Sequence, residues 1–180
     1  MIVKKIKNPR KSAGKRTRVS RLTAYIRAAG ARGGEEKCVY AGARGFLTDD
    51  PRSQAAEMLA LAQESVRSKD PINHYVLSWR EGEQPSATQV EEAVEIFMRE
   101  LGVQDHQVVY GLHADTDNQH LHIALNRVDP ETGRCVEINK GFDIEAAHRA
   151  VALIERAHGW KREERGRYAV LETGEVAPRR

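Results

Sequence analysis

Residues 113–127, HADTDNQHLHIALNR, constrain the fold more than any other stretch of the chain. From position 120 onward, His120, His122, Ala124 and Asn126 alternate with Leu121, Ile123 and Leu125. Side chains of a β-strand point to opposite faces in turn, so this spacing predicts a strand with one face in a core and two imidazoles on the other. Val108–His113 reads as a second strand, with Asp115, Thr116, Asp117 and Asn118 as the polar turn between them. Such a hairpin returns His113 towards His120. Three of the seven histidines of the chain then converge, as a metal with open coordination positions requires. A purely structural polar cluster is the other reading of the same residues.

Around this hairpin the chain alternates between the periods of helices and strands. Residues 1–7 place Ile2 and Ile6 among lysines as a short strand that Asn8 and Pro9 break, and residues 11–18 read as a basic loop. Ser20 is placed to cap a first helix carrying Leu22, Tyr25, Ile26 and Ala29 until Gly30. Residues 38–47 read either as short strands or as a structured loop. Asp50 and Pro51 open a second helix to about Arg67, with Ala55, Leu59, Ala62 and Val66 inward. Residues 72–79 form a β-rich run. Ser86 and Gln89 have capping-box spacing before Val90, Ala93, Val94, Phe97, Met98 and Leu101, and Gly102 stops that helix. Asp143 caps a last helix with Ile144, Ala147, Val151, Ile154 and Ala157 inward, ended by Gly159. From Lys161 the chain turns charged and loosens. The expectation is an α+β domain over residues 1–160, a mainly antiparallel sheet with helices packed on it and the metal site on its open face. Residues 161–180 are expected as a charged tail, the start of a linker to further domains.

The net charge of +3 conceals an asymmetry. Residues 1–34 carry eleven Lys or Arg and no Asp or Glu, leaving the remainder at about −8. A basic arm on an acidic body suits a polyanionic partner, because clustered cations bind phosphates by releasing condensed counterions. A solvated arm that merely keeps the chain soluble is the alternative. Cys38 and Cys135 are the only cysteines and form no CxxC pair, which argues against a disulfide scaffold or thiolate zinc and for a reducing, cytosolic setting. No apolar run approaches membrane-spanning length.

A metal beside a basic arm suggests phosphodiester chemistry, with the metal polarising a phosphate. The nucleophile is then either water or a side chain. Tyr25 is the candidate side chain, flanked by Arg18, Arg21 and Arg27 as DNA contacts. A phenolate would give a covalent phosphotyrosine. The alternative is that Tyr25 packs with Leu22 and Ala29.

The hairpin HADTDNQHLHIALNRV resembles the three-histidine motif of conjugative relaxases of the P-type transfer and mobilisation family, within the HUH endonucleases. LTAYIRAAG resembles the family's N-terminal motif, and SVRSKDPINHYVLSWREGEQPS its second motif. The resemblance implies that Tyr25 attacks a phosphodiester at an origin of transfer, leaving a 5′-phosphotyrosine and a free 3′-hydroxyl. It implies that His113, His120 and His122 hold a divalent ion, Mg²⁺ or Mn²⁺ in use. Three imidazoles would also accept Zn²⁺, Co²⁺ or Ni²⁺. Asp115 would orient a ligand imidazole or assist the Tyr25 proton, Ser68 would contact DNA, and Asn126 and His74 would support the site from a second shell. Partners implied are single-stranded DNA at the origin, accessory relaxosome proteins and a coupling protein. A rolling-circle replication initiator, a basic DNA-binding module with an inactive site and a hydrolase using metal-bound water are the alternatives. The tyrosine preceding the histidines speaks against the initiator.

Overall fold

The computed structural model describes residues 1–9, 13–28 and 37–179. In chain order the elements are β1 (Ile2–Ile6), α1 (Gly14–Arg27), β2 (Cys38–Arg44), α2 (Pro51–Glu64), β3 (Ile72–Ser78), α3 (Ala87–Glu100), β4 (Val108–His113), β5 (His120–Asn126), a 3-10 turn (Ile138–Gly141), α4 (Asp143–His158), β6 (Tyr168–Val170) and β7 (Val176–Pro178). Five strands form one antiparallel sheet in the order β1-β3-β5-β4-β2. The chain is therefore an α+β fold of a five-stranded antiparallel sheet with four helices on it.

The alternation in β5 sets the layers. Leu121, Ile123 and Leu125 join Tyr75, Leu77, Tyr110 and Leu112 in the larger core, which α3 and α4 cover. Both covering helices have a continuous apolar stripe. The Ser86 hydroxyl accepts from the Gln89 amide while the Gln89 side chain returns the bond, so α3 starts with a formed capping box. All six of its expected core residues are buried. On the opposite face Val109, Ala124 and Ile72 meet Val19, Leu22 and Ile26 of α1 and Met58 and Ala62 of α2. The imidazole face is thus not the open side of the sheet. Helices cover its Asn126 end, and the histidines lie at the rim where that cover stops.

Several local readings shift. Of the stretch expected as a basic loop, residues 14–18 belong to α1, which begins at Gly14, and residues 11 and 12 lie outside the described residues; Ser20 lies inside the helix rather than at its cap. Lysine and arginine are good helix formers, and Val19 already belongs to the buried stripe. Ala29 and Gly30 lie outside the described residues. In α2, Asp50 accepts from the Ser53 amide as the expected cap. Its inward face is turned by one position, with Gln54, Met58 and Ala62 buried, because the Gln54 amide donates to the Thr48 carbonyl at 2.8 Å. Val66 lies past the helix end and is exposed. The N-cap of α4 is Phe142, with Asp143 in the first turn, and Ala157 is exposed. The segment after Lys161 does not simply loosen: β6 and β7 pair as a hairpin against α4, and the Tyr168 hydroxyl donates to Glu145 at 3.0 Å.

Asp143 of α4 ties the helix to two strands of the sheet, accepting from Lys5 of β1 at 2.6 Å and from the Tyr75 hydroxyl of β3 at 2.5 Å. Burial pushes its carboxyl pKa up, but the bonds from Lys5 and Tyr75 outweigh that and the net direction is down. A carboxyl with a depressed folded pKa stabilises the fold above its unfolded value of about 3.9, and that contribution is lost as pH falls through the folded value. Asp143→Asn is expected to lower the melting temperature at pH 7, with the gap to the unaltered chain closing as pH falls from the unfolded value of about 3.9 through the folded one. A gap of constant size across thermal melts from pH 2 to 7 would contradict the assignment.

Candidate active site

The site forms where the C-terminal turn of α1 meets the sheet. The last carbonyls of a helix have no partner within it. One of these, that of Ile26, accepts a hydrogen bond at 2.8 Å from the buried His113 Nε2–H. The close approach requires Gly111, whose added Cβ would lie 2.4 Å from the same carbonyl oxygen. Docking α1 at this point lays Tyr25 over the histidines. Its ring meets His113 and His122 edge-on, at centroid separations of 5.4 and 5.2 Å, and His74 at 6.4 Å.

Register explains the cluster. His113 stands opposite His120, His122 opposite Gly111 and Val76, and His74 opposite Ala124. The rings of His113 and His122 are 4.3 Å apart, while the half-buried His120 is 6.5 Å from His122. His74 Nε2 and His122 Nδ1 share a hydrogen bond of 3.0 Å. Burial, and then the mutual disfavouring of charge among the clustered imidazoles, lowers the His122 pKa to about 3; burial and the nearby Arg18 lower that of His74 to about 4, and burial lowers that of His113. All three rings are therefore neutral at pH 7, the form in which imidazole binds a metal.

The donor set fits a divalent cation chemically. His113 keeps Nδ1 as its lone pair because Nε2–H is committed to Ile26. His122 presents Nε2 when its Nδ1–H donates to His74, which then acts as the orienting partner. Among the described residues, however, no three His, Cys, Asp or Glu side chains already surround a common point as a formed cluster. His120 has to turn inward to complete one.

Other expected site residues are placed differently. Asp115 is exposed in the turn and, among the described residues, bonds to no imidazole; it acts on His113 only through space. Orientation comes instead from Ile26 and His74. Asn126 is fully buried under α2, its amide donating to the Met58 carbonyl and Gln107, four residues and so roughly 13 Å along the strand from His122. It staples α2 to the sheet. Ser68 lies in the loop before β3, at the end of the sheet away from the imidazoles. Ser78, which pairs with His120 on the imidazole face, stands at the other end of the same strand, beside the imidazoles. Arg27 is turned to α2, where it bonds to Gln54 and the Pro51 carbonyl. Arg18 is largely buried and donates to the Ile72 carbonyl, near Asp70. Arg21 is exposed beside a groove of about 410 Å³ that runs from Tyr25 and His122 past Leu22 and Val76 to Ile6. Sequence reasoning missed Ser78, although the period of two in INHYVLS puts it in phase with His74. It also missed Lys37, whose ammonium lies 3.9 Å from the centre of the Tyr25 ring. No sequence signal singles out that lysine.

The family described as relaxase, MobA/VirD2-like, nuclease domain matches residues 25–160. The chain belongs to this family. It is 74% identical over 119 residues to the protein MobA of Acidithiobacillus ferrooxidans, covering 66% of this chain and 29% of MobA. A TraI protein of Escherichia coli is 35% identical over 112 residues, covering 59% of this chain and 14% of TraI. The chain thus spans less than a third of the length of these relatives. A solved structure reported as the molecular basis of vancomycin resistance transfer in Staphylococcus aureus shares the fold, with a TM-score of 0.55 at 11% identity over 90% of this chain and 95% of that one. Among the described residues no helix is long and apolar enough to cross a membrane.

Gly111→Ala is expected to cost about 1–3 kcal/mol by overpacking, and to part His113 from Ile26. The loss of a slowly exchanging His113 ring N–H signal in NMR, together with a lower denaturation midpoint, checks it. An unchanged signal would mean that α1 accommodates the methyl group.

Proposed function

We propose that the chain nicks and rejoins one DNA strand at an origin of transfer, with Tyr25 as the nucleophile. The carrying observation is the placement of Tyr25: 42% exposed, at the head of a groove, with its ring edge-on to two neutral imidazoles. A buried packing tyrosine would not stand there. Relatedness to MobA and TraI proteins agrees with a role in mobilisation.

In this reading the Tyr25 oxygen attacks the scissile phosphorus while the bond to the 3′ oxygen breaks. The phenol gives up one proton and the departing oxygen takes one up, so the exchange is neutral overall. The products are a 5′-phosphotyrosine and a free 3′-hydroxyl, and the reverse attack by a 3′-hydroxyl rejoins the strand. His113, His120 and His122 would hold a divalent ion, Mg²⁺ or Mn²⁺, which when bound polarises the phosphate. Ile26 and His74 keep two of the rings in the required orientation. The groove beyond Tyr25, apolar on its floor at Val76 and Ile6 with Arg21 at its edge, takes the adjoining nucleotides by stacking and phosphate contact. Accessory relaxosome proteins and a coupling protein are the partners proposed for a longer parent.

Incubated with single-stranded oligonucleotides tiling its element's origin and Mg²⁺ or Mn²⁺, the chain is expected to form an adduct that survives denaturing electrophoresis. Tyr25→Phe should form none while still binding the oligonucleotide within about threefold of the unaltered affinity. Cleavage by that variant would instead point to water as the nucleophile. Chelation by EDTA is expected to stop adduct formation and added Mn²⁺ to restore it. His122→Ala should need at least tenfold more Mn²⁺ for half-maximal rate, and an unshifted requirement would remove His122 from the ion's shell.

A further inference from the structure

We infer that Lys37 is the cation that meets the scissile phosphate, placed there by its backbone as well as by its side chain; this deepens, and rests on, the reading of Tyr25 as nucleophile. Lys37 immediately precedes β2, whose first residue, Cys38, stands opposite His113. Its carbonyl accepts from the Ala114 amide at 2.9 Å, so its main chain is pinned one residue past the His113 imidazole. From that anchor its ammonium reaches over the Tyr25 ring, 3.9 Å from the centroid. The same ring meets His113 and His122 with its edge. Tyr25 is therefore bracketed, with imidazoles on one side and a single cation on its face.

Of the other cations nearby, Arg21 lies further along the groove, beyond Tyr25, and two more are engaged elsewhere. Arg18 bonds to the Ile72 carbonyl near Asp70, and Arg27 bonds to Gln54 and the Pro51 carbonyl. Among the described residues the Lys37 ammonium is in no ion pair, and its charge acts on both His113 and His122. A phosphate seated on the Tyr25 oxygen lies at the edge of the ring that Lys37 overhangs. A lysine is a compact charge on a flexible stem, so a short swing from ring to phosphate suits it. There it would offset the charge that grows on the phosphate oxygens during transfer, in a place already built before substrate arrives.

The test uses the full chain and the oligonucleotide on which it forms its adduct. Lys37→Ala is expected to slow single-turnover adduct formation by about 100-fold. Oligonucleotide affinity, measured in the Tyr25→Phe background, should move by less than about threefold, with an unchanged melting temperature. Lys37→Arg should recover part of the rate. Ethylammonium chloride should restore the Lys37→Ala rate in proportion to its concentration, whereas tetramethylammonium at equal ionic strength should not. A rate within threefold of the unaltered chain, or a loss that no small ammonium restores, would overturn the assignment and leave Lys37 as a clamp on the tyrosine ring. If the unaltered chain forms no adduct on any origin oligonucleotide, the nucleophile reading itself falls and Lys37 falls with it.

Discussion

One hydrogen bond, from the His113 ring to the Ile26 carbonyl, organises the cluster of Tyr25 and the imidazoles. It joins the last turn of α1 to the end of strand β4 and satisfies a carbonyl that the helix cannot. It also selects a tautomer of His113, leaving Nδ1 as the acceptor. Because Ile26 follows Tyr25, the contact that orients an imidazole also sets the phenol above it. Gly111 is the condition for this arrangement, since no side chain fits between the carbonyl and the sheet. A single docking point thus couples backbone satisfaction, tautomer choice and the position of Tyr25.

The unequal covering of the two sheet faces follows from the same design. The α3 and α4 face carries most of the large apolar side chains, including Tyr75, Phe97, Leu121 and Ile123. The other face holds a much smaller cluster around Ile26, Met58 and Ala124. Stability is concentrated on the face away from the chemistry, which frees the second face to keep four histidines and an exposed tyrosine at its rim. His106 shows the contrast. It is buried too, but it bonds to the Asn126 carbonyl and serves only the backbone.

Period and capping made most of the fold legible. Alternation in β5 and the stripe of α3 were unambiguous because each residue in them has one environment, core or not. Tyr25 and the imidazoles were legible as types at suitable spacing; the sheet register gathers the imidazoles, and the docking of α1 brings Tyr25 to His113 and His122. What was not legible depends on which end of a strand faces the site. Ser68 and Ser78 bracket the same run, and only the pairing of Ser78 with His120 separates them. Asn126 shares a face with His122, yet the rise along the strand carries it beneath α2. Arg18 and Arg27 read as free cations, but their guanidinium groups bond to a carbonyl of β3 and to a carbonyl and the Gln54 side chain of α2. The start of α1 was missed because a basic, uncapped sequence gives no boundary signal, and packing of Val19 and Leu22 decides it.

The strict in-and-out order of β5 also governs how such a chain tolerates changes in length. A single extra residue within the strand would reverse the phase of all that follows, turning leucine outward and histidine into the oily layer. The same addition at 114–119, in the turn, would leave both phases intact. Drift in length is therefore channelled into the turn, beside the chemistry rather than through it, and descendants can differ there in size while keeping the imidazoles in step.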